Sequence, residues 1–428
     1  MAAELLPVEI AAQVIDPKVH ADGARLHEAF RWIRANNPLG RAELEGFDPF
    51  WVVSKHADIL EVSRQNALFH SGDRQTTFTS QEADQKVWAL TGGSPHLVRS
   101  LVQMDEPDHM KYRALTQGWF MPQNLKKLEG RIREIARGFV HRMVDHGGEC
   151  DFVADVALHF PLHVIMEILG VPEADEPRML KLTQELFGAS DSELNREGEA
   201  QGVDVERGMA QIQAVLADFF MYFNTITEAR RAHPTDDLST VIANGRINGE
   251  PISPFEAMSY YVIVATAGHD TTSSSTAGAM WALCENPAEL AKVKADPALI
   301  PGLVEESIRW TTPVRHFMRS ATADTELRGR KIAEGDWLML CYPSGNRDEE
   351  VFEDPFAFRV DRAPNRQLAF GYGAHLCLGQ HLAKMEMRIL WDELLPRLAS
   401  VEFAGEPKLS EGMFVNGPKR LPIRYRMA

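Results

Sequence analysis

The chain has 428 residues, of which 44 % are hydrophobic and 25 % charged, a balance that excludes a disordered or fibrous chain and allows a sizeable core. Lys and Arg total 45 against 61 Asp and Glu, a formal net charge of −16, which repels polyanions and argues against nucleic acid as a partner. The four cysteines, Cys150, Cys284, Cys341 and Cys377, contain no CxxC pair, which excludes zinc-knuckle spacing and a disulfide framework and points to a reducing, cytoplasmic setting.

Along the chain, the opening MAAELLPVEIAAQVIDP lacks a basic stretch, and Pro7 and Glu9 break its apolar run, so neither a signal peptide nor an anchor is expected. Phe50–Ser54 reads as a short strand. Leu128–Val144, Phe152–Leu169 and Met209–Arg230 carry apolar residues at helical spacing, the last with Phe219, Phe220, Tyr222 and Phe223 toward its centre. Between the last two, residues 189–207 are rich in Ser, Asp, Glu, Gln and Gly. They read as a mobile surface loop, either a plain connector or a gating lid.

Tyr260–Cys284 reads as a long apolar helix interrupted by Ala267-Gly268-His269-Asp270-Thr271-Thr272. Its longest apolar stretch, near Tyr260–Ala267, falls far short of the roughly 20 residues that cross a bilayer, so no membrane span is expected. Leu327–Tyr342 looks like two strands joined at Glu334-Gly335-Asp336, and Met413–Ile423 like a hairpin turning at Asn416-Gly417. No repeat or low-complexity linker divides the chain. The expectation is one domain over residues 1–428, mainly α with small β-sheets.

The most informative stretch is Phe370-Gly371-Tyr372-Gly373-Ala374-His375-Leu376-Cys377-Leu378-Gly379. Three glycines surround one cysteine, so the backbone can wrap closely round a sulfur and aim N–H groups at it. A helix beginning at Gln380 puts the cysteine near a positive dipole end, which favours a thiolate. A lone cysteine near a glycine turn is usually a small core residue.

The full run FGxGxHxCxGxxLA, from Phe370 to Ala383, resembles the haem-binding signature of the cytochrome P-450 superfamily. AGHDTTSSS (Ala267–Ser275), HLCLGQHLAKMEM (His375–Met387) and GECDF (Gly148–Phe152) bring the chain closest to the soluble bacterial members, in particular the terpineol-oxidising kind. The resemblance implies a triangular-prism fold with haem b held between the oxygen-activating helix and the cysteine-loop helix, and Cys377 as the iron's axial thiolate. Cys150, Cys284 and Cys341 match no family ligand and read as structural.

Other residues take roles from the same resemblance. Glu306 and Arg309, an ExxR pair, and Arg362 match a buried triad that braces the cysteine loop; as a bare motif, ExxR is more often a solvated pair. His109, Arg113, Arg319 and His375 match propionate-binding positions, and Ala267, Gly268, Phe370, Gly371 and Gly379 match positions that contact the haem. Asp270 and Thr271 match an acid–alcohol pair: the hydroxyl donates into an oxygen groove, and the carboxylate relays the two protons that each turnover consumes. The bland alternative is a buried, kinked structural helix. His269 is turned away from Thr271 by helical spacing and reads as a partner for surrounding polar groups.

Ile263, Thr266, Ala267, Val314, Phe414 and Val415 match pocket-lining positions, and their apolar character implies a small hydrophobic substrate. The chain carries no flavin, nicotinamide or iron–sulfur motif, so electrons must come from outside. The resemblance implies a [2Fe-2S] ferredoxin with an NAD(P)H-dependent reductase. Lys111, Arg366, Lys384 and Arg388 are candidates for a basic docking patch. The expected activity is hydroxylation of a monoterpenoid or alkyl-aromatic with dioxygen. The rivals are a peroxide-driven haem peroxygenase or haem reductase, and a non-catalytic haem-binding protein.

Overall fold

A computed structural model describes residues 5–187, 191 and 205–428. The expected loop at 189–207 therefore lies outside the described residues, apart from Asp191 and residues 205–207, which already begin a helix.

The N-terminal part supplies strands β1 (Leu39–Ala42), β2 (Phe50–Val53) and β3 (Phe69–His70). Then come helices α1 (Asp108–Gln117) and α2 (Glu129–Asp145), strand β4 (Glu149–Asp151), and α3 (His159–Leu169), which follows a π-turn at Val153–Ala157. Helices α4 (Glu176–Phe187), α5 (Val205–Ala232), α6 (Pro254–Ala267), α7 (Asp270–Glu285) and α8 (Ile300–Thr311) follow, with shorter helices between and before them. Strands β5 (His316–Ala321), β6 (Thr325–Leu327), β7 (Arg330–Ile332) and β8 (Trp337–Cys341) precede the cysteine loop. Helix α9 (Gln380–Leu394) follows it, and β9 (Leu398–Phe403), β10 (Lys408–Leu409), β11 (Pro418–Arg420) and β12 (Pro422–Met427) close the chain.

Local sequence explains the elements that carry the site. Helix α2 buries Ile132, Ile135, Ala136, Phe139, Val140 and Met143, a stripe at spacings of three and four that packs on α9. Helix α6 starts at a capping box, in which Ser253 and Glu256 satisfy each other's backbone N–H, with Pro254 in the first turn. Helices α6 and α7 are buried on nearly all sides, which suits their apolar sequence and puts them at the centre of the main core.

The larger sheet has the order β1-β2-β8-β5-β3, with β8 parallel to β2 and antiparallel to β5. The two strands expected in 327–342 are present and joined through Glu334-Gly335-Asp336. They do not pair with each other. Trp337–Cys341 is buried at every position and needs neighbours on both edges, so β8 inserts between β2 and β5. Strand β7 instead pairs with β6. The hairpin at 413–423 is corrected. Strand β11 returns to β10, and neither Asn416 nor Gly417 adopts a positive φ. Asn416 is buried, and its amide donates to the carbonyls of Ser410 (2.5 Å) and Gly412 (3.1 Å), tying a longer loop together.

Candidate active site

The cysteine loop follows a long irregular segment and leads into α9. Gly371 and Gly373 have φ values of 70° and 74°. A Cβ on Gly373 would stand 2.2 Å from the Ser63 carbonyl, so only glycine allows this approach. The Cys377 N–H donates to Phe370 O at 2.9 Å, closing the loop. Enclosure pushes the Cys377 thiol up. The N–H groups of Gly379 and Gln380, with the charges of Arg113 and Lys384, pull the other way.

Below the loop lies a fully buried ionic knot. Glu306 on α8 accepts from Arg309 Nε and Nη2, both at 2.7 Å, and from Arg362 Nε at 3.1 Å to each oxygen. Asn365 Nδ2 (3.1 Å) and the Arg359 N–H (2.9 Å) complete its shell. Arg309 also donates to the carbonyls of Asn346, Pro355 and Ala357, so the knot pins the irregular segment that precedes the cysteine loop.

One large cavity lies between this loop and the α6–α7 break. At one end are four basic side chains. The rings of His109 and His375 lie 4.3 Å apart, and His375 Nε2 is 3.2 Å from Ser71 Oγ. Arg113 Nη2 donates to Leu376 O at 2.8 Å, and Arg319 Nη1 to Met318 O at 2.7 Å. Burial, with the charges of Arg319, His109 and Arg113, lowers His375 to about 2. His109 is 1 % exposed; its Nδ1 stands 3.7 Å from Glu106 Oε1, and its Nε2 has no hydrogen-bond partner. Such an orphaned buried nitrogen calls for an occupant that can pair with it.

At the other end, Val264, Ala267, Gly268, Thr271, Thr272 and Ser275 line the cavity. A Cβ on Gly268 would meet Ile165 Cγ1 and Val264 O, each at 2.6 Å, so glycine is required where the helix breaks. Thr271 Oγ1 lies 3.2 Å from the Ala267 carbonyl across the break. Asp270 does not face this cavity. Its Oδ1 meets His269 Nε2 at 3.0 Å, and it lines a separate recess with Ser273, Ser274 and Gly417.

Residues 298–423 match the family described as Cytochrome P-450. The chain is also 49 % identical to cytochrome P-450-terp of a Pseudomonas species, covering 100 % of both chains. This chain belongs to the cytochrome P-450 family. Linalool 8-monooxygenase of Pseudomonas putida is 30 % identical over 93 % of this chain and 95 % of its own length. The crystal structure of CYP108D1 from Novosphingobium aromaticivorans matches with a TM-score of 0.90 and 48 % identity, covering 99 % of this chain and all of the other. The protein is thus a monooxygenase of the mainly α cytochrome P-450 fold, and its cofactor is haem b.

The residues present fit that group. Cys377 offers a sulfur on one wall, and His109, Arg113, Arg319 and His375 offer donors for two propionates. When bound, haem supplies the iron at which dioxygen is activated, with electron density donated by a thiolate.

Of the pocket residues, Ile263, Ala267 and Val314 line the cavity. Three others do not. Thr266 is buried and donates to Val262 O at 2.7 Å. Phe414 packs on His316 and Phe317. Val415 bridges Val314 and faces the Asp270 recess. Their places are taken by Leu101, Val102, Phe120, Ile165 and Phe317.

Glu386 on α9 was not singled out in the sequence. It is buried against the cavity, burial pushes its carboxyl well up despite a hydrogen bond with Thr272, and its Oε2 has no partner. The basic patch is mostly neutralised: Lys384 pairs with Glu305 (2.6 Å), Arg388 with Glu129 (3.0 Å) and Asp392 (3.1 Å), and Lys111 with Asp108 (3.3 Å).

Proposed function

We propose that this cytochrome P-450 hydroxylates a small hydrophobic molecule, a monoterpenoid or alkyl-aromatic, in a single catalytic domain spanning the chain. Dioxygen is the oxidant, and a [2Fe-2S] ferredoxin with its NAD(P)H-dependent reductase delivers two electrons. The carrying observation is the cavity itself: Ile263, Val264, Ala267, Val314 and Phe317 present apolar surface in the same space that Cys377 and Thr271 line. The names of two relatives, P-450-terp and linalool 8-monooxygenase, support the terpenoid reading.

In this reading Cys377 would hold the haem iron through its sulfur, and Gly371 and Gly379 shape its loop. His109, Arg113, Arg319 and His375 hold the propionates. Thr271 donates a hydrogen bond into the groove and Asp270 supplies protons. The Glu306–Arg309–Arg362 knot is structural. No helix among the described residues is long and apolar enough to cross a membrane.

The test is a spin-state titration of the ferric protein against monoterpenoids, alkyl-aromatics, fatty acids and steroids. The first two classes should displace water and shift the spin state at micromolar concentration. A shift with only fatty acids or steroids overturns the assignment.

A further inference from the structure

His269 sits at the α6–α7 break, is 0 % exposed, and is surrounded by acceptors. Its Nδ1 is 3.0 Å from the Ala265 carbonyl, which can only accept, so Nδ1 carries a proton. Its Nε2 is 3.0 Å from Asp270 Oδ1 and 3.2 Å from Thr183 Oγ1. Thr183 directs its own proton to Leu180 O at 2.9 Å, so its oxygen is an acceptor as well. A neutral imidazole with a bare Nε2 would point a lone pair at a carboxylate. The geometry calls for protons on both nitrogens, an imidazolium against a carboxylate.

The charged surroundings agree. Burial opposes the charge, but Asp270 and the Ala265 carbonyl more than offset it, and His269 titrates above its usual value. His159, at the start of α3, is lowered by burial and also feels the charge of His269, which lowers it. Thr183 comes from α4, so α3, α4, α6 and Asp270 together define the site.

Asp270 makes no comparable use of its second oxygen. Oδ2 is buried and has no hydrogen-bond partner. The carboxylate lines the recess with Ser273 and Ser274, while Thr271, one residue on, lines the haem cavity. One oxygen is therefore fixed and the other is unpaired, in an acid that lines the recess next in sequence to a residue of the haem cavity.

We propose that His269 is the positioning residue of the proton relay: a buried imidazolium that pins Asp270 through Oδ1 and leaves Oδ2 as the oxygen that takes up and hands on protons. The proposal rests on the reading of Asp270 and Thr271 as that relay. His269 keeps both of its protons throughout. Proton uptake at Oδ2 raises the charge of the pair by one, and release restores it. Without the imidazolium, the two oxygens become equivalent by rotation and the carboxylate loses the partner that fixes it.

Two measurements on the holoenzyme test this. In 15N-histidine-labelled protein, held diamagnetic as the ferrous–CO form, the His269 resonances are assigned by their loss in His269→Gln. Both nitrogens should be protonated at pH 7.5, and Asp270→Asn should return the ring to the singly protonated form. A singly protonated ring in the unmodified protein overturns the proposal, and this arm needs no turnover.

The second measurement is product formed per dioxygen consumed, with terpineol as the probe and peroxide release counted. Asp270→Asn should lose coupling by at least about tenfold. His269→Phe should approach that loss. His269→Gln, whose amide can still donate to Oδ1, should recover part of it. Normal coupling in Asp270→Asn sinks the relay reading and the proposal with it. Normal coupling in His269→Phe beside an uncoupled Asp270→Asn sinks the proposal alone.

Discussion

Glutamine at position 306 keeps the shape of Glu306 and removes its charge. The native carboxylate is 0 % exposed and accepts from Arg309, Arg362, Asn365 and the Arg359 N–H. In Glu306→Gln two guanidinium groups face an amide, and one former acceptor becomes a donor. Removing one partner of a buried ion pair costs about 3–5 kcal/mol. A chain of 428 residues unfolds with an entropy of about 0.9 kcal/mol/K, so a loss near 4 kcal/mol lowers Tm by about 4 °C. The same substitution loosens Arg309, which holds the Asn346, Pro355 and Ala357 carbonyls, and these precede the cysteine loop. Melting of the holoenzyme is followed by far-ultraviolet circular dichroism and haem absorbance together. The variant should melt about 4 °C lower and release haem before its helices unfold. An unchanged Tm with full haem retention refutes the reasoning.

Three further outcomes follow from buried groups. Gly268→Ala brings a Cβ within 2.6 Å of Ile165 and should cost about 1–3 kcal/mol while weakening terpenoid-induced spin shifts; an unchanged melt and titration contradict it. Burial raises the folded pKa of Glu386, so this group's stabilisation is present below its unfolded value and lost as pH rises toward the folded one. Glu386→Gln should therefore gain on the native protein in denaturant midpoint between pH 6 and pH 8, and a variant that falls behind would refute this. Burial and Arg315 lower His20 to about 4, so its contribution is complete above 6.5 and lost as pH falls toward 4. It should account for about 2 kcal/mol of destabilisation between pH 8 and pH 5, absent in His20→Gln; equal losses in both proteins rule it out.

The cysteine loop is legible in sequence because its chemistry requires glycine and cysteine at fixed offsets, and Gly373 shows why: any Cβ there strikes Ser63. Asp270 and Thr271 are legible as a pair, but their facing different spaces depends on where the helix breaks. The pocket is less legible because its walls come from distant segments. Phe120, Ile165 and Phe317 converge only in three dimensions, whereas Thr266 and Phe414 turn into neighbouring structure. Glu386 looks in sequence like a solvent-facing helix acid, and only its burial marks it. Lys384 and Arg388 look like free cations until Glu305, Glu129 and Asp392 are placed beside them. Strand pairing around β8 was hidden for a related reason: an apolar run states that it is buried, not which strands flank it.

The central claim is that Cys377 is the thiolate that makes the iron reactive, and the carbon monoxide complex of the reduced protein tests it most directly. The native protein should give the red-shifted ferrous–CO band of a thiolate ligand, and Cys377→Ala should lose it. A red-shifted band that persists in Cys377→Ala would contradict the assignment.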